Sequence, residues 1–508
     1  ASASDDNHGT AVAGMITGVI DGSGSVGVAP DAEITGFRIG FGSGPGGQGA
    51  TQFQNAVNVD IVNNSWGYGG FFYDDFDSGS FAAERNAILN AVTNGRGGLG
   101  TNITFSAGNS GDVGDDVNYH SFQNSPYTIA VGATTFSGSL ASFSTPGAAV
   151  LTSAPGSSVW TTDRRGSAGY SSGDFTSISG TSFSSPAVAG VIALMLDANP
   201  LLGYRDVQEI LAYSSRNPTT STSGWRSNSA FNWNGGGLTF TDGYGFGIAD
   251  AHAAVRLAET WTVQSTQANL QSISFSSAPN TFIADNSTIS DTISVGAGLS
   301  IDHIQVRVNI DHTWIGDLTV RLTSPDGTAS TLIDRPGVYS GSTYGASDDD
   351  IRFTLDSVQF WGEQGQGDWT LSVTDSVTQD AGTLENWTLT LLGDPVGTDD
   401  TYIFTDDYAL YGGQGGRQTI TDGNGGIDSL NFAAVTTALD LDLAAGSTNS
   451  LFGHALDIGA GTTIENVYGG DGGDLIAGNA AGNVISGMRG GDTLAGGLGD
   501  DTLIGGAG

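Results

Sequence analysis

From residue 469 onward the chain repeats itself every nine residues: GGDGGDLIA, GNAAGNVIS, GMRGGDTLA, GGLGDDTLI. No other stretch restricts the fold so tightly. One repeat is too short to bury its own Leu or Ile, so successive repeats must stack, with glycines at the turns between short strands. The pattern predicts a parallel β-roll with aliphatic residues turned inward and Asp474, Asn483, Asp492 and Asp501 in equivalent turn positions. A flexible glycine-rich linker has the same composition, yet nothing would hold its Leu and Ile in phase. Stacked carboxylates repel one another unless a hard divalent cation lies between them, and calcium accepts such oxygen cages.

Charge points the same way. Lys and Arg number 15 against 53 Asp and Glu, a formal charge of -38. Nucleic acid and anionic membranes repel such a chain, whereas cations bind it, so Ca2+ is the expected cofactor. With no cysteine, neither disulfides nor thiolate metal sites are available. The longest apolar run, VAGVIALMLDA, is too short and interrupted to predict membrane insertion, and no charged-then-apolar leader opens the sequence. The first residue is not Met and the last lie inside a repeat, so the chain is read as cut at both ends.

Three textures divide the sequence. Residues 1–260 alternate short apolar runs (NVDIVNNSWG, NITFSAGN, YTIAVGA) with helical patterns (ERNAILNAV, SPAVAGVIALMLDA), which predicts an α/β domain with a parallel sheet and flanking helices. Residues 261–394 give period-two segments such as TISDTISV, HIQVRVNI and DWTLSVTD, an all-β sandwich. Residues 395–508 lead into the repeats.

Chemistry is concentrated in three motifs of the first region: HGTAVAG at His8, FSAGNSG around Asn109 and SGTSFSSPAVAG around Ser182. A serine hydroxyl is a poor nucleophile at neutral pH and needs an imidazole to take its proton, which makes Ser182 the candidate nucleophile and His8 the candidate base. A helix opening at GTS sets Ser182 at a positive N-terminus with its own N–H facing a developing oxyanion, and the Asn109 amide offers a second donor. Singly, each motif has a plainer reading: a capping turn, a loop, an ordinary helix start. In this order they resemble the subtilisin-like serine proteases. GVAPDAEITGFR, SWG at residues 65–67, NGRGGLGTNITFSAGN and YGFGIADAHAAV narrow the resemblance to the kexin and furin branch. That resemblance implies that Ser65, Trp66 and Gly67 pair with an extended substrate backbone; core packing is the alternative for Trp66.

HTWIGDLTVRLTSPDGTASTL, FWGEQGQGDWTLSVTD and GTLENWTLTLLG resemble the P domain of kexin-like enzymes, a jelly-roll sandwich that stabilises the protease domain. An independent carbohydrate-binding sandwich competes with that reading. The tail resembles the calcium-binding RTX repeats of bacterial secreted proteins, approached by TDGNGGIDSLNFAAVTTALDLDLAAGS and TTIENVYGG, which are similar to the serralysin carboxy-terminal region. This implies export through a type I secretion apparatus and an extracellular location, with the roll folding where calcium is abundant.

The family pattern also breaks. Subtilisin-type catalytic residues run Asp, His, Ser along the chain, and only Asp5 and Asp6 precede His8. They sit too near it in sequence to reach its far ring nitrogen and are read as rim residues. Loss of the acid in subtilisin costs about 3 × 10⁴ in turnover, so this chain is expected to be inactive, with a gap in its sheet where the Asp-bearing strand belongs. After SWG, YGGFFYDDFDSG stands where the family has an acidic turn; Asp74, Asp75 and Asp77 offer charge, with Asp77 the substrate-binding candidate, or form a solvated loop. Asp115 matches a family calcium ligand at the base of the primary pocket, whereas His120 and Thr145 stand where the family has acids. VIDGSGSV resembles a calcium loop with Asp21 as ligand, or is an ordinary Asp-Gly turn. The resulting expectation is a secreted, calcium-dependent serine endopeptidase acting on protein or peptide substrates, with cleavage after basic residues or broad cleavage as alternatives. Its rival is a catalytically inactive adhesion or calcium scaffold with a protease-like shell.

Overall fold

The computed structural model describes residues 7–39, 48–218 and 222–508. The first region is built on a parallel sheet of β1 (Ile61–Asn64), β2 (Asn102–Ser106), β3 (Ile129–Thr134) and β4 (Val150–Pro155), in that order. Both faces are covered, so β2 and β3 are buried at every residue, as their unbroken runs of apolar and small side chains require. The covering helices are α1 (Asn7–Thr17), α2 (Gln48–Asn55), α3 (Ala82–Asn94), α4 (Thr181–Ala198), α5 (Tyr204–Ser214) and α6 (Ala251–Thr260). Among the described residues α4 is long and apolar enough to cross a membrane, longer than the sequence run suggested, but it packs against all four strands as a core helix. The outer edge of β1 pairs with no strand among the described residues. Two hairpins complete the region: β5 (Val159–Thr162) with β6 (Phe175–Ile178), and β7 (Arg226–Ser227) with β8 (Thr239–Phe240).

The second region holds β9 (Gln271–Ser277), β10 (Thr281–Ile283), β11 (Thr288–Val295), β12 (Leu299–His312), β13 (Leu318–Thr323), β14 (Ala329–Asp334), β15 (Ile351–Ser357), β16 (Gly367–Asp375) and β17 (Gly382–Pro395). They form two antiparallel sheets, β10-β17-β12-β15 with β9 on β17, and β11-β16-β13-β14. Alternate residues point inward: in β16, Trp369, Leu371 and Val373 are buried between partly exposed neighbours.

The third region comprises β18 (Thr401–Thr405), α7 (Tyr408–Tyr411), β19 (Thr419–Ile420), β20 (Ser429–Ala434), β21 (Asp440–Asp442), β22 (Thr448–Leu451), β23 (His454–Ile458), β24 (Asn466–Tyr468), β25 (Leu475–Ala477), β26 (Val484–Ser486), β27 (Thr493–Ala495) and β28 (Thr502–Ile504). Successive nine-residue repeats go to opposite parallel sheets, β18-β20-β24-β26-β28 and β21-β25-β27. Pairing therefore joins strands two repeats apart, Val467 with Ile485 and Ile485 with Leu503. A Cβ on Gly487 would stand 2.3 Å from Asp492 Oδ2, and one on Gly496 2.3 Å from Asp501 Oδ2. Glycine at the head of each repeat thus makes room for the carboxylate that folds back under the turn.

The three regions share their cores. Ile403, Tyr411 and Ala434 of the third pack into the apolar core of the first, and Tyr119 and Ala148 of the first pack into that of the second. Arg417, 5% exposed, donates to the carbonyls of Trp233 (3.0 Å) and Gly237 (2.7 Å) and lies over the Trp233 ring.

Candidate active site

Ser182 stands in the first turn of α4, half-buried. Pro186 follows four residues later inside the same helix. It has no N–H, so the Ser182 carbonyl loses its intrahelical donor. The Ser65 hydroxyl supplies the missing bond at 2.8 Å, and the Ser182 hydroxyl lies 3.5 Å from the Ser65 carbonyl. The end of β1 is thereby tied to the candidate nucleophile through both side chains.

Asn109, on the loop after β2, accepts from the Thr181 backbone N–H (2.8 Å) and hydroxyl (3.0 Å) through Oδ1. This fixes which way the amide points. Its Nδ2 is left without a partner among the described residues, on an exposed side chain beside the start of α4. Gly180, with φ +152°, allows the sharp entry into the helix. Thr145 braces the same loop, its hydroxyl accepting the Ser110 N–H at 3.1 Å. Thr181 and Thr145 were not singled out as positioning residues, although Thr181 lies within the SGTS motif.

His8 lies in the first turn of α1, half-buried, with its ring centroid 5.7 Å from that of Phe183. Hydroxyls of Thr161 and Thr162 on β5 hold α1 by its Ala11 (2.6 Å) and Thr10 (2.8 Å) carbonyls. A Cβ on Gly14 would meet Thr162 Oγ1 at 2.2 Å, so the glycine of the His motif is what permits this contact. Burial holds the imidazole below its ordinary pKa of 6.5. Among the described residues His8 makes no hydrogen bond to Ser182 and none to a carboxylate; Asp5 and Asp6 lie outside the described residues.

Residues 65–67 continue β1 beyond its last pair, Asn64 with Phe105. Gly67 is exposed, whereas the Trp66 ring packs among Phe53, Tyr68, Phe105 and Phe122, which gives the tryptophan the core role named as its alternative. In the loop that follows, the exposed Asp77 is engaged within the protein: it pairs with Arg307 and accepts from the Thr354 hydroxyl (2.7 Å), both in the second region. Phe72 of the same loop packs on Tyr119 and Phe353, so the acidic aromatic stretch is a docking surface between regions.

Asp74 and Asp115 each meet His120. Nδ1 lies 3.1 Å from Asp74 and Nε2 3.0 Å from Asp115. Burial alone would lower the pKa of His120, but the hydrogen bonds with Asp115 and Asp74 overcome it and push the value up to about 10.

Of the other expected metal ligands, Asp21 accepts from the backbone N–H (2.9 Å) and hydroxyl (3.0 Å) of Ser23, the ordinary turn. Asp474 accepts from Leu439 N–H (2.9 Å) and Gly470 N–H (2.8 Å). Asp492 accepts from Asp474 N–H and Asp501 from Asn483 N–H, both at 2.9 Å, and Asn483 Oδ1 accepts from Asn479 N–H at 2.9 Å. The second oxygen of Asp492 is buried without a partner. The sequence reading missed a different cluster: Asp400, Asp422 and Asp428 bring carboxylate oxygens within 4.8 Å of one another. Burial, reinforced by the negative charges of Asp422, Asp400 and Glu465, pushes Asp428 up to about 6 against its hydrogen bond from Asp400. The repeated DG and GG turns of TDGNGGID were the available signal.

Comparison with known proteins agrees with this geometry. Residues 1–247 match the subtilase family and residues 301–391 the proprotein convertase P-domain. Human proprotein convertase subtilisin/kexin type 4 is 33% identical over 404 residues, covering 77% of this chain and 51% of that protein. The dibasic-processing endoprotease of Schizosaccharomyces pombe is 33% identical over 415 residues, covering 77% and 55%. The chain thus spans about half the length of these relatives. In fold it is similar to the crystal structure of a serine protease of Aeromonas sobria, with a TM-score of 0.67 at 23% identity over 77% of this chain and 82% of that one. A helix-borne serine tied to the strand end beside it, with an oriented asparagine amide alongside, thus lies in the stretch that matches the subtilase family, followed by one that matches the proprotein convertase P-domain, in a chain similar to kexin- and furin-type proteases.

Proposed function

We propose that this protein is a secreted, calcium-dependent serine endopeptidase that cleaves peptide bonds through an acyl-enzyme. The observation that carries the reading is the free Asn109 amide beside the N-terminus of α4, two donors poised for one oxyanion. Ser182 Oγ attacks the carbonyl carbon while His8 takes its proton; His8 then returns it to the leaving amine, and water, activated by the same ring, releases the acid. Asn109 and the Ser182 N–H hold the oxyanion. Ser65 and Gly67 offer backbone to the substrate. The name of the dibasic-processing relative supports a preference for basic residues. Against it, Asp74, Asp77 and Asp115 are each engaged within the protein, which favours broader cleavage.

A serine-reactive phosphonate tests the reading: where His8 has a carboxylate partner, Ser182 should be labelled and Ser182→Ala should not. An unlabelled, folded protein favours the second reading, an inactive calcium scaffold, which the absence of a His8–Ser182 hydrogen bond among the described residues supports. Calcium binding is proposed for the stacked repeats, as an RTX roll exported by a type I route, and for Asp400, Asp422 and Asp428, where like charges call for a divalent cation. Chelation should lower the melting temperature and calcium should restore it; an unchanged melting curve removes calcium from the reading.

A further inference from the structure

Two carboxylates converge with one imidazole between them, in the segments that the resemblance places around the primary pocket. Asp74 is fully buried, His120 is 5% exposed, and each ring nitrogen lies on a different carboxylate, at 3.1 and 3.0 Å. Each ring nitrogen thus faces a carboxylate oxygen at hydrogen-bond distance, so the ring itself bridges the two acids. The family resemblance implies calcium at the base of this pocket. The residues present do not fit it: calcium takes about six to eight oxygens, whereas here an imidazole fills the space between the acids and the third position is Thr145, whose hydroxyl is bonded to the Ser110 N–H.

We propose that His120 is a built-in bridge that takes the place of a metal ion between Asp74 and Asp115. It clamps the loop after Gly67, through Asp74, to the segment after Asn109, through Asp115. The Phe122 N–H adds a longer contact to the other Asp74 oxygen at 3.4 Å. His120 is thus a positioning residue: it fixes the two chain segments that flank the candidate oxyanion donor and the substrate-pairing backbone, and it does so whether or not calcium is present. The readout below is an ion count, so it stands apart from whether the protein turns over peptides.

The test is the number of calcium ions bound per full-length chain, measured by elemental analysis after equilibration. The unaltered protein, Asp74→Asn and Asp115→Asn should bind the same number. His120→Asp, which brings three carboxylates together, should bind one more, and calcium should raise its melting temperature by more than that of the unaltered protein. Loss of one ion in Asp74→Asn or Asp115→Asn, or no gain in a folded His120→Asp, would overturn the proposal. If His120→Asp does not fold, nitrogen-15 NMR of the unaltered protein decides. The ring signals of His120, assigned by their loss in His120→Gln, should be the same with calcium and after chelation. Signals that change on chelation count against the clamp.

Discussion

Asn109 is oriented by one oxygen and, in the proposed mechanism, donates with the nitrogen opposite. Because Oδ1 is saturated by two donors of Thr181, Asn109→Ala removes an oxyanion donor and strands those two groups. The expected loss is about 10²–10³ in kcat with KM little changed; a rise in KM alone would move Asn109 from the oxyanion to substrate binding. His8 gives a pH prediction. Burial lowers its pKa below 6.5, and a base works when neutral, so kcat/KM should hold through 6.5 and fall only as pH drops through the lower value. An acid limb above 6.5 would mean that a carboxylate faces the ring. HGT, AGN and GTS were legible in the sequence through their order, since each read singly is a capping turn, a loop or a helix start. The pairing of Asp77 was not legible, because Arg307 is 230 residues away and no local pattern distinguishes an acid facing substrate from one facing a neighbouring domain.

Helix α4 shows how one element carries a requirement imposed by another. Pro186 opens the hydrogen-bond ladder at the carbonyl of Ser182, and Ser65 at the end of β1 closes it. Ser65→Ala should therefore destabilise the protein by about 1–3 kcal/mol, the cost of an acceptor left without its donor. Adding Pro186→Ala restores the backbone N–H and should recover most of that loss in denaturant unfolding. If the two effects merely add, the hydroxyl is not filling the ladder. Elements with their own period were readable from sequence: two in β16, nine in the repeats. Pro186 was visible too, but its partner depends on where the sheet lies under the helix, which only packing decides.

At the scale of the whole molecule, the boundaries drawn from sequence texture follow the chain more closely than they follow its packing. The tail looked like a separate roll, yet Arg417 plugs the first region, and Asp471 receives Arg256 (2.9 Å) and His252 (2.8 Å) from α6. Arg417→Met keeps much of the apolar stem and removes the donors, leaving buried carbonyls unpaired; a loss of at least about 2 kcal/mol is expected. An unchanged melting temperature would mean that the docked tail contributes little. The order of synthesis gives this contact a further meaning. A polypeptide leaves the ribosome from its N-terminus, so the segment that covers Trp233 and gives Arg256 its second carboxylate, beside Glu259, is made after the surfaces it meets. A product that stopped short of it would keep an unsealed apolar face and a buried guanidinium with one acid in place of two, and exposed apolar surface is what directs a chain to cellular proteases. The docked tail thus reports that synthesis has passed Asp471, and a chain without it is marked for removal.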